Sequence, residues 1–344
     1  AHQTYYAFED TTWETTTSYG LGLDANLIDS RLNLNLDVYY KKTENMLLTL
    51  GFPSFAGFSA PQQNAGDMNT TGWDLSLGWS DKIGDFSYSI SANISNYKSK
   101  MGYLGDKRTI SGNNITEKGS YYNEWYVLQS AGLFQTQEDM LDASGKKVPV
   151  YSNSDKPGCI KYVDQNGDGV INSDDKIRLG NSLPEYLYGG NISLGWKNLD
   201  FNMSFQGIGK QLVMFDTSRV QAGRRQWGAV PSILLGNYWS TNNTPEENLK
   251  AKYPYVTFNN TSSIYAGSDF WLFNGAYMRI KNISLGYTFP QSLMNKVFIK
   301  GLRIYASVTD LPAFSKYPKG WDPELSTNST YISTSFIFGL NVKF

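Results

Sequence analysis

The chain has 344 residues with 30 Lys plus Arg against 31 Asp plus Glu, one His and one Cys. A single cysteine excludes an intramolecular disulfide framework and a Cys-cluster zinc site, His2 alone excludes a multi-histidine metal centre or a Ser/His/Asp machine, and the balanced charge argues for no nucleic-acid partner. Only 18% of residues are charged while 15% are aromatic, and apolar runs such as Leu212 to Phe215 stay far short of the ~20 residues of a spanning helix, so a helical membrane protein is excluded.

From Ser18 onward, Tyr19, Leu21, Leu23, Ala25 and Leu27 alternate with Ser18, Gly20, Gly22, Asp24 and Asn26, the period of a strand. After a turn at residues 28 to 31, Leu32, Leu34, Leu36, Val38 and Tyr40 repeat the pattern against Asn33, Asn35 and Asp37, which predicts a hairpin. A second hairpin is predicted from Trp73, Leu75, Leu77 and Trp79, a turn at 80 to 85, and Phe86, Tyr88, Ile90, Ala92 and Ile94. The third joins Tyr188, Ile192, Leu194 and Trp196 through Lys197 and Asn198 to Leu199, Phe201, Met203 and Phe205. A less regular pair follows, with Ile283, Leu285, Tyr287 and Phe289, a connection from Pro290 to Gly301, then Leu302, Ile304, Ala306 and Val308. Its phase slips near Lys281, which predicts a bulge. The chain ends on Phe336, Phe338, Leu340, Val342 and Phe344, alternating to its last residue.

A soluble β-sandwich also has alternating strands. Sandwich strands usually run about 5 to 6 residues; these run longer, and their polar faces are Ser, Asn, Gly and Asp rather than Lys and Glu. An all-β, membrane-spanning antiparallel barrel is therefore expected. Short connections (28 to 31, 80 to 85, 197 to 198) alternate with long ones near 41–71, 97–186, 208–276 and 310–333, the asymmetry of periplasmic turns and extracellular loops. Counting from a periplasmic C-terminus gives nine strands, with room for an extra hairpin around Trp125 to Phe134. A single-chain bacterial barrel needs an even number, and two open edges in lipid would leave rows of unpaired backbone groups. The wall is thus expected to be completed by strands on missing sequence or another chain. The opening at Ala1, without a secretory signal, fits either a removed signal or a piece of something longer.

Several segments resemble one family, the SusC/RagA-type TonB-dependent transporters of Bacteroidetes outer membranes. They are WETTTSYGLGLD (Trp13 to Asp24), LDVYYKKTENMLL (Leu36 to Leu48), NAGDMNTTGWD (Asn64 onward), PGCIKYVDQNGDGVINSDDKIRLG (Pro157 to Gly180), LPEYLYGG (Leu183 to Gly190), YMRIKNISLGYTFP (Tyr277 to Pro290) and RIYASVTDLPAFSKYPKGWDPE (Arg303 to Glu324). Two departures are Cys159, where the family commonly has an acidic residue, and Thr309-Asp310-Leu311 in place of its usual Asn-Leu pair. The resemblance implies the C-terminal part of a 22-stranded barrel, lacking the plug domain, the first strands and the TonB-contacting segment of a family chain about three times longer. It further implies a SusD-like surface lipoprotein as lid and TonB as the energy source. Glycan is the expected substrate class and oligopeptide the competitor. A surface glycan-binding β-sandwich and a passive porin are the alternatives outside the family.

Asp164, Asn166, Asp168 and Gly169, with the carbonyl of Val170 and with Asp175 at the twelfth position, reproduce the spacing of a calcium loop over 164–175, where Ca2+ would be structural. The alternative is an Asn/Gly/Asp turn held by its own side-chain to backbone bonds. Trp125, Tyr126, Trp227, Trp239 and Trp271 are candidates to stack on substrate, against packing within the loops. Arg219, Arg224 and Arg225 could grip an acidic group, or line a solvated face. Phe336, Phe338, Leu340, Val342 and Phe344 resemble the C-terminal signal read by the barrel assembly machinery. Pairs such as Asp174 with Asp175 and Glu246 with Glu247 lack a companion that would separate their pKa values, so no enzyme is expected.

Overall fold

Among the described residues, those that alternate apolar with small polar side chains make nine long strands: β1 (Thr15–Leu27), β2 (Leu32–Thr49), β3 (Gln62–Ile83), β4 (Phe86–Met101), β5 (Glu185–Trp196), β6 (Leu199–Lys210), β7 (Tyr277–Thr288), β8 (Gly301–Thr309) and β9 (Ser335–Lys343). In this computed structural model they pair in chain order as one antiparallel meander. A two-residue strand, Phe314–Ser315, adds to the loop end of β7. The structure describes residues 11–49, 62–105, 108–220, 231–257, 263–295, 299–325 and 331–344.

Register shows why the pattern needs a barrel wall. One lateral row runs Leu27, Leu32, Trp79, Ile90, Ile192, Met203, Ile283, Val308, Phe336 across all nine strands, and every member is apolar. The row one residue along runs Asn26, Asn33, Gly78, Ser91, Asn191, Ser204, Asn282, Thr309, Ser335, and every member is polar or glycine. Because the pleat sends successive side chains to opposite faces, one face suits hydrocarbon and the other suits water. Among the described residues no second sheet packs on the apolar face, so the sandwich alternative is overturned. Phe338 stands 83% exposed on that face, as a residue facing lipid would.

The predicted turns shrink and the strands lengthen. Residues 80 to 83 pair with 86 to 89, leaving Gly84 and Asp85 as a two-residue turn, with Gly84 at φ +59, the left-handed value that such hairpins require. At the loop end β2 reaches Thr49, β3 starts at Gln62, β4 reaches Met101 and β6 reaches Lys210. The 22 residues of β3, at ~3.3 Å each, far exceed a ~30 Å hydrocarbon layer. Its loop end therefore projects beyond the bilayer, where pairing persists but apolar alternation has no reason to. That is why the predicted loop boundaries fell inside strands.

The bulge lies where the phase slip predicts it. Ser204 pairs with Asn282 but Phe205 pairs with Ile280, so Lys281 is the extra residue. No hairpin around Trp125 to Phe134 enters the wall. Glu124–Leu128 instead pairs with Asn114–Thr116 and Lys176–Arg178 in a separate small sheet, and Ser130–Leu133 pairs with Ile160–Tyr162. These pieces and the long connection after β6 form a loop cap with its own core. One cluster holds Leu128, Ile160, Tyr162, Ile171, Phe215, Leu234, Tyr253, Trp271 and Tyr317; a second joins Phe134, Met140, Cys159 and Ile264.

Candidate functional site

Three features of the loop end position chemistry: the polar inner wall, a charged latch that ties the last loop to it, and the cap.

The latch grows from the bulge. Arg279 faces Gln206 across β6 and β7 on the polar side, and the slip at Lys281 turns that lysine to an ion pair with Asp310 while Ile280 stays on the apolar side. Beyond β8 the chain returns over the wall. Arg279, 1% exposed, holds Asp322 with both carboxylate oxygens at 2.5 Å and donates to the Leu311 carbonyl at 3.1 Å. Its Nε stands 2.8 Å from Glu324 Oε2, off the hydrogen-bond axis, so that contact is ionic. Gln206 Nε2 donates to the other Glu324 oxygen at 2.7 Å. The position suits arginine, because one planar guanidinium presents Nη2 to Asp322, Nη1 to Leu311 and Nε beside Glu324, and it is the less hydrated cation. Between latch and loop lies a cavity of about 390 Å³ lined by Asp310, Tyr317, Trp321 and Asp322 among others. Burial pushes the Tyr317 phenol up to about 12, so it stays neutral at any physiological pH.

The cap receives most of the predicted aromatic candidates. Trp271 is 1% exposed, sandwiched among Phe215, Tyr253, Tyr265 and Phe270, and its indole N–H donates to the Ile264 carbonyl at 2.9 Å. Tyr126 is buried, with Lys176 over its ring. Trp125 is half-buried and donates to the Leu212 carbonyl at 3.1 Å, tying the small sheet to the connection after β6. Trp239 is 8% exposed and borders a cleft. Trp227, Arg224 and Arg225 lie outside the described residues; Arg219 sits 3.9 Å from Asp216 at the end of a short 3-10 turn. The structure thus brings Trp125, Tyr126 and Trp271 into the cap's fabric and leaves Trp239 beside open space. Phe336, Phe338, Leu340 and Val342 lie on the apolar face of β9, with Phe344 one residue past it.

The 164–175 loop closes on itself. Asp164 accepts from the Gly167 and Gly169 amides at 2.7 and 2.8 Å, and Asp168 accepts from the Val170 amide at 2.8 Å. Asn166 accepts from the Asp168 amide at 3.0 Å, and Asp175, with no exposed surface, accepts from the Gln165 and Asn172 amides at 2.8 Å each. The oxygens that the spacing offers to calcium are turned onto backbone N–H groups. Among the described residues no three His, Cys, Asp or Glu side chains form a metal-holding group, and the loop is held by its own side-chain to backbone bonds. Asp175→Ala, which removes the fully buried carboxylate that both the Gln165 and Asn172 amides donate to, is expected to make the loop protease-sensitive. Chelation with EDTA is expected to leave the digestion pattern unchanged; calcium-dependent protection would reverse this reading.

Other predicted groups are structural. Asn172 and Asp175 form a capping box, as do Thr244 and Glu247 at the short helix Pro245–Lys250, which gives one member of each acidic pair a local structural role. Cys159 is fully buried against Phe134, Met140 and Ile264, and burial pushes its thiol up, which makes it an inert core residue. The residues missed at the sequence level are Arg279, Lys281, Asp310, Asp322 and Glu324. Their visible signal was that they sit inside two family-like segments, YMRIKNISLGYTFP and RIYASVTDLPAFSKYPKGWDPE.

Residues 2–311 match the family described as TonB dependent receptor-like, beta-barrel. TonB-dependent receptor P3 of Formosa agariphila is 29% identical over 99% of this chain and 35% of its own length. TonB-dependent receptor SusC of Bacteroides thetaiotaomicron is 28% identical over 98% and 32%. The chain therefore spans about a third of the curated relatives it matches. Among solved structures, the RagAB peptide transporter superposes with a TM-score of 0.73 at 24% identity, over 99% of this chain and 38% of that one, a likeness of fold.

Proposed function

We propose that this chain, which belongs to the TonB-dependent receptor-like β-barrel family, forms part of the import path of an outer-membrane transporter for oligosaccharides. Membership in that family places it in the outer membrane as a C-terminal part of a barrel and removes the enzyme reading. The observation that carries the transport proposal is the inner wall: a continuous polar face of Ser, Asn, Thr and Gly, with Asp37, Asp74, Asp200, Tyr39 and Tyr97 among them, that reaches from the cap to the short turns and offers donors and acceptors to a hydroxyl-rich solute. The remaining strands and the plug would come from the rest of the longer protein, energy from TonB, and closure of the loop end from a SusD-like lipoprotein.

The test is deletion of the full-length gene in its host, followed by growth on oligosaccharides or on oligopeptides as sole carbon source. Loss of growth on an oligosaccharide, restored by the intact gene when TonB is present but not when TonB is removed, is the expected outcome. Loss confined to peptides would overturn the oligosaccharide reading in favour of an oligopeptide importer. Uptake that persists without TonB would overturn energised import and leave a passive porin.

A further inference from the structure

Three glycines on the polar face of the wall lie under long side chains of neighbouring strands. Gly72 of β3 stands between Tyr39 of β2 and Tyr97 of β4 in one lateral row. A Cβ added there would run into the Tyr39 ring, 2.7 Å from Cε2 and closer still to Cζ and the hydroxyl. Gly339 of β9 pairs with Tyr305 of β8, and its Cβ would collide with the ring carbons and hydroxyl of that tyrosine. Gly286 of β7 lies under an ion pair. Arg303 of β8 crosses it to reach Asp200 of β6, Nε donating to Oδ1 at 3.1 Å and Nη2 to Oδ2 at 2.6 Å. A Cβ at this glycine would stand 2.6 Å from Asp200 Oδ1 and 2.7 Å from Arg303 Cζ. The guanidinium also lies 5.1 Å from the Tyr305 ring centroid, so Asp200, Arg303 and Tyr305 form one layer laid over Gly286 and Gly339.

None of the three glycines has a left-handed φ, so the backbone itself does not ask for glycine. Glycine inside a strand gives up packing and conformational entropy, and where it persists it usually marks a close approach. Here the approach is that of a side chain from the next strand. With a Cβ in the way, both tyrosines and Arg303 would have to turn off the sheet, and the direction open to a residue on this face is the lumen. Gly78 lies on the same face without such a neighbour: among the described residues its Cβ would meet only the Asn33 side chain, at 3.8 Å.

We infer that Gly72, Gly286 and Gly339 are positioning residues for import: they take Tyr39, Arg303 and Tyr305 sideways onto the wall and so keep the solute path clear. The inference rests on the reading that solute passes along this wall, and it adds which residues set the width of the passage. A side chain swung into that passage slows transit and leaves capture of solute at the loop end unchanged.

The full-length protein and its variants are returned to the deletion strain. The probe is the oligosaccharide on which that strain fails to grow, radiolabelled, and its uptake is expressed per folded barrel, counted by migration of unheated protein on a denaturing gel. Gly339→Val and Gly72→Val are each expected to lower the maximal uptake rate about tenfold, the equivalent of ~1.4 kcal/mol on the barrier to passage, with the half-saturating concentration little changed. Adding Tyr305→Ala to the first and Tyr39→Ala to the second is expected to restore most of the rate, because the displaced ring is gone. Gly78→Val adds the same bulk where no side chain is displaced and is expected to match the wild type. Unchanged uptake in both valine variants overturns the inference. So does a loss that removal of the ring does not restore, that Gly78→Val shares, or that a shortage of folded barrels accounts for, since each assigns the glycines to barrel assembly. Failure of the wild type in the growth experiment overturns the transport reading and this inference with it, whereas failure here alone leaves transport standing.

Discussion

Arg279→Met is expected to release the last loop from the barrel wall. The substitution leaves Asp322 and Glu324, both largely covered, facing an apolar side chain, and breaking a buried pair from one side costs about 3–5 kcal/mol. It also frees the Leu311 carbonyl that Arg279 holds at 3.1 Å. The readout is limited proteolysis of the full-length protein in detergent: new cleavage between 310 and 334, at temperatures where the wild type is resistant. Arg279→Lys keeps the charge but loses the fork and should fall between the two. The triple variant R279M/D322N/E324Q removes the stranded charges and should recover part of the resistance. A single Met variant as resistant as the wild type would show that the loop is held elsewhere.

Trp271→Ala should unfold the cap while leaving the wall intact. Phe215, Tyr253 and Tyr265 stack on Trp271 at 6.3 to 6.4 Å between centroids, and Phe270 meets it edge-on at 5.2 Å. Truncating a buried tryptophan costs about 3–5 kcal/mol through lost burial and the cavity left behind, and here it also orphans the Ile264 carbonyl. Hydrogen exchange should speed up across residues 124–128, 212–215 and 269–274 and stay slow through the nine wall strands. Exchange that rises equally in β3 and β4 would contradict a cap with its own core. A cap that melts alone is what its position beyond the bilayer allows, since its stability comes from a core that the wall does not share.

Much of the wall was readable residue by residue. Tyr19 to Leu27 and Leu32 to Tyr40 pair in the predicted hairpin, and the extra residue is Lys281 itself. The cap was not readable in this way. Trp125, Trp239 and Trp271 look alike in the sequence, yet one ties two loops together, one borders a cleft and one is enclosed in a core. The calcium spacing was equally ambiguous, because the positions that place oxygens around an ion also place them on the amides of their own loop.

The sequence by itself determined the period, the two faces, the bulge and the odd strand count, because the pleat of a strand is a local property and each side chain declares which solvent it faces. Only the tertiary structure decided which charges meet and which aromatics remain accessible. Arg279 and Asp322 are 43 positions apart, Trp125 and Leu212 are 87 apart, and Gly158 meets Trp239 from the other side of the β5–β6 hairpin. Such contacts depend on where a long loop returns to the wall. That is set by the sum of many weak packing terms along the loop and not by any repeating pattern within it.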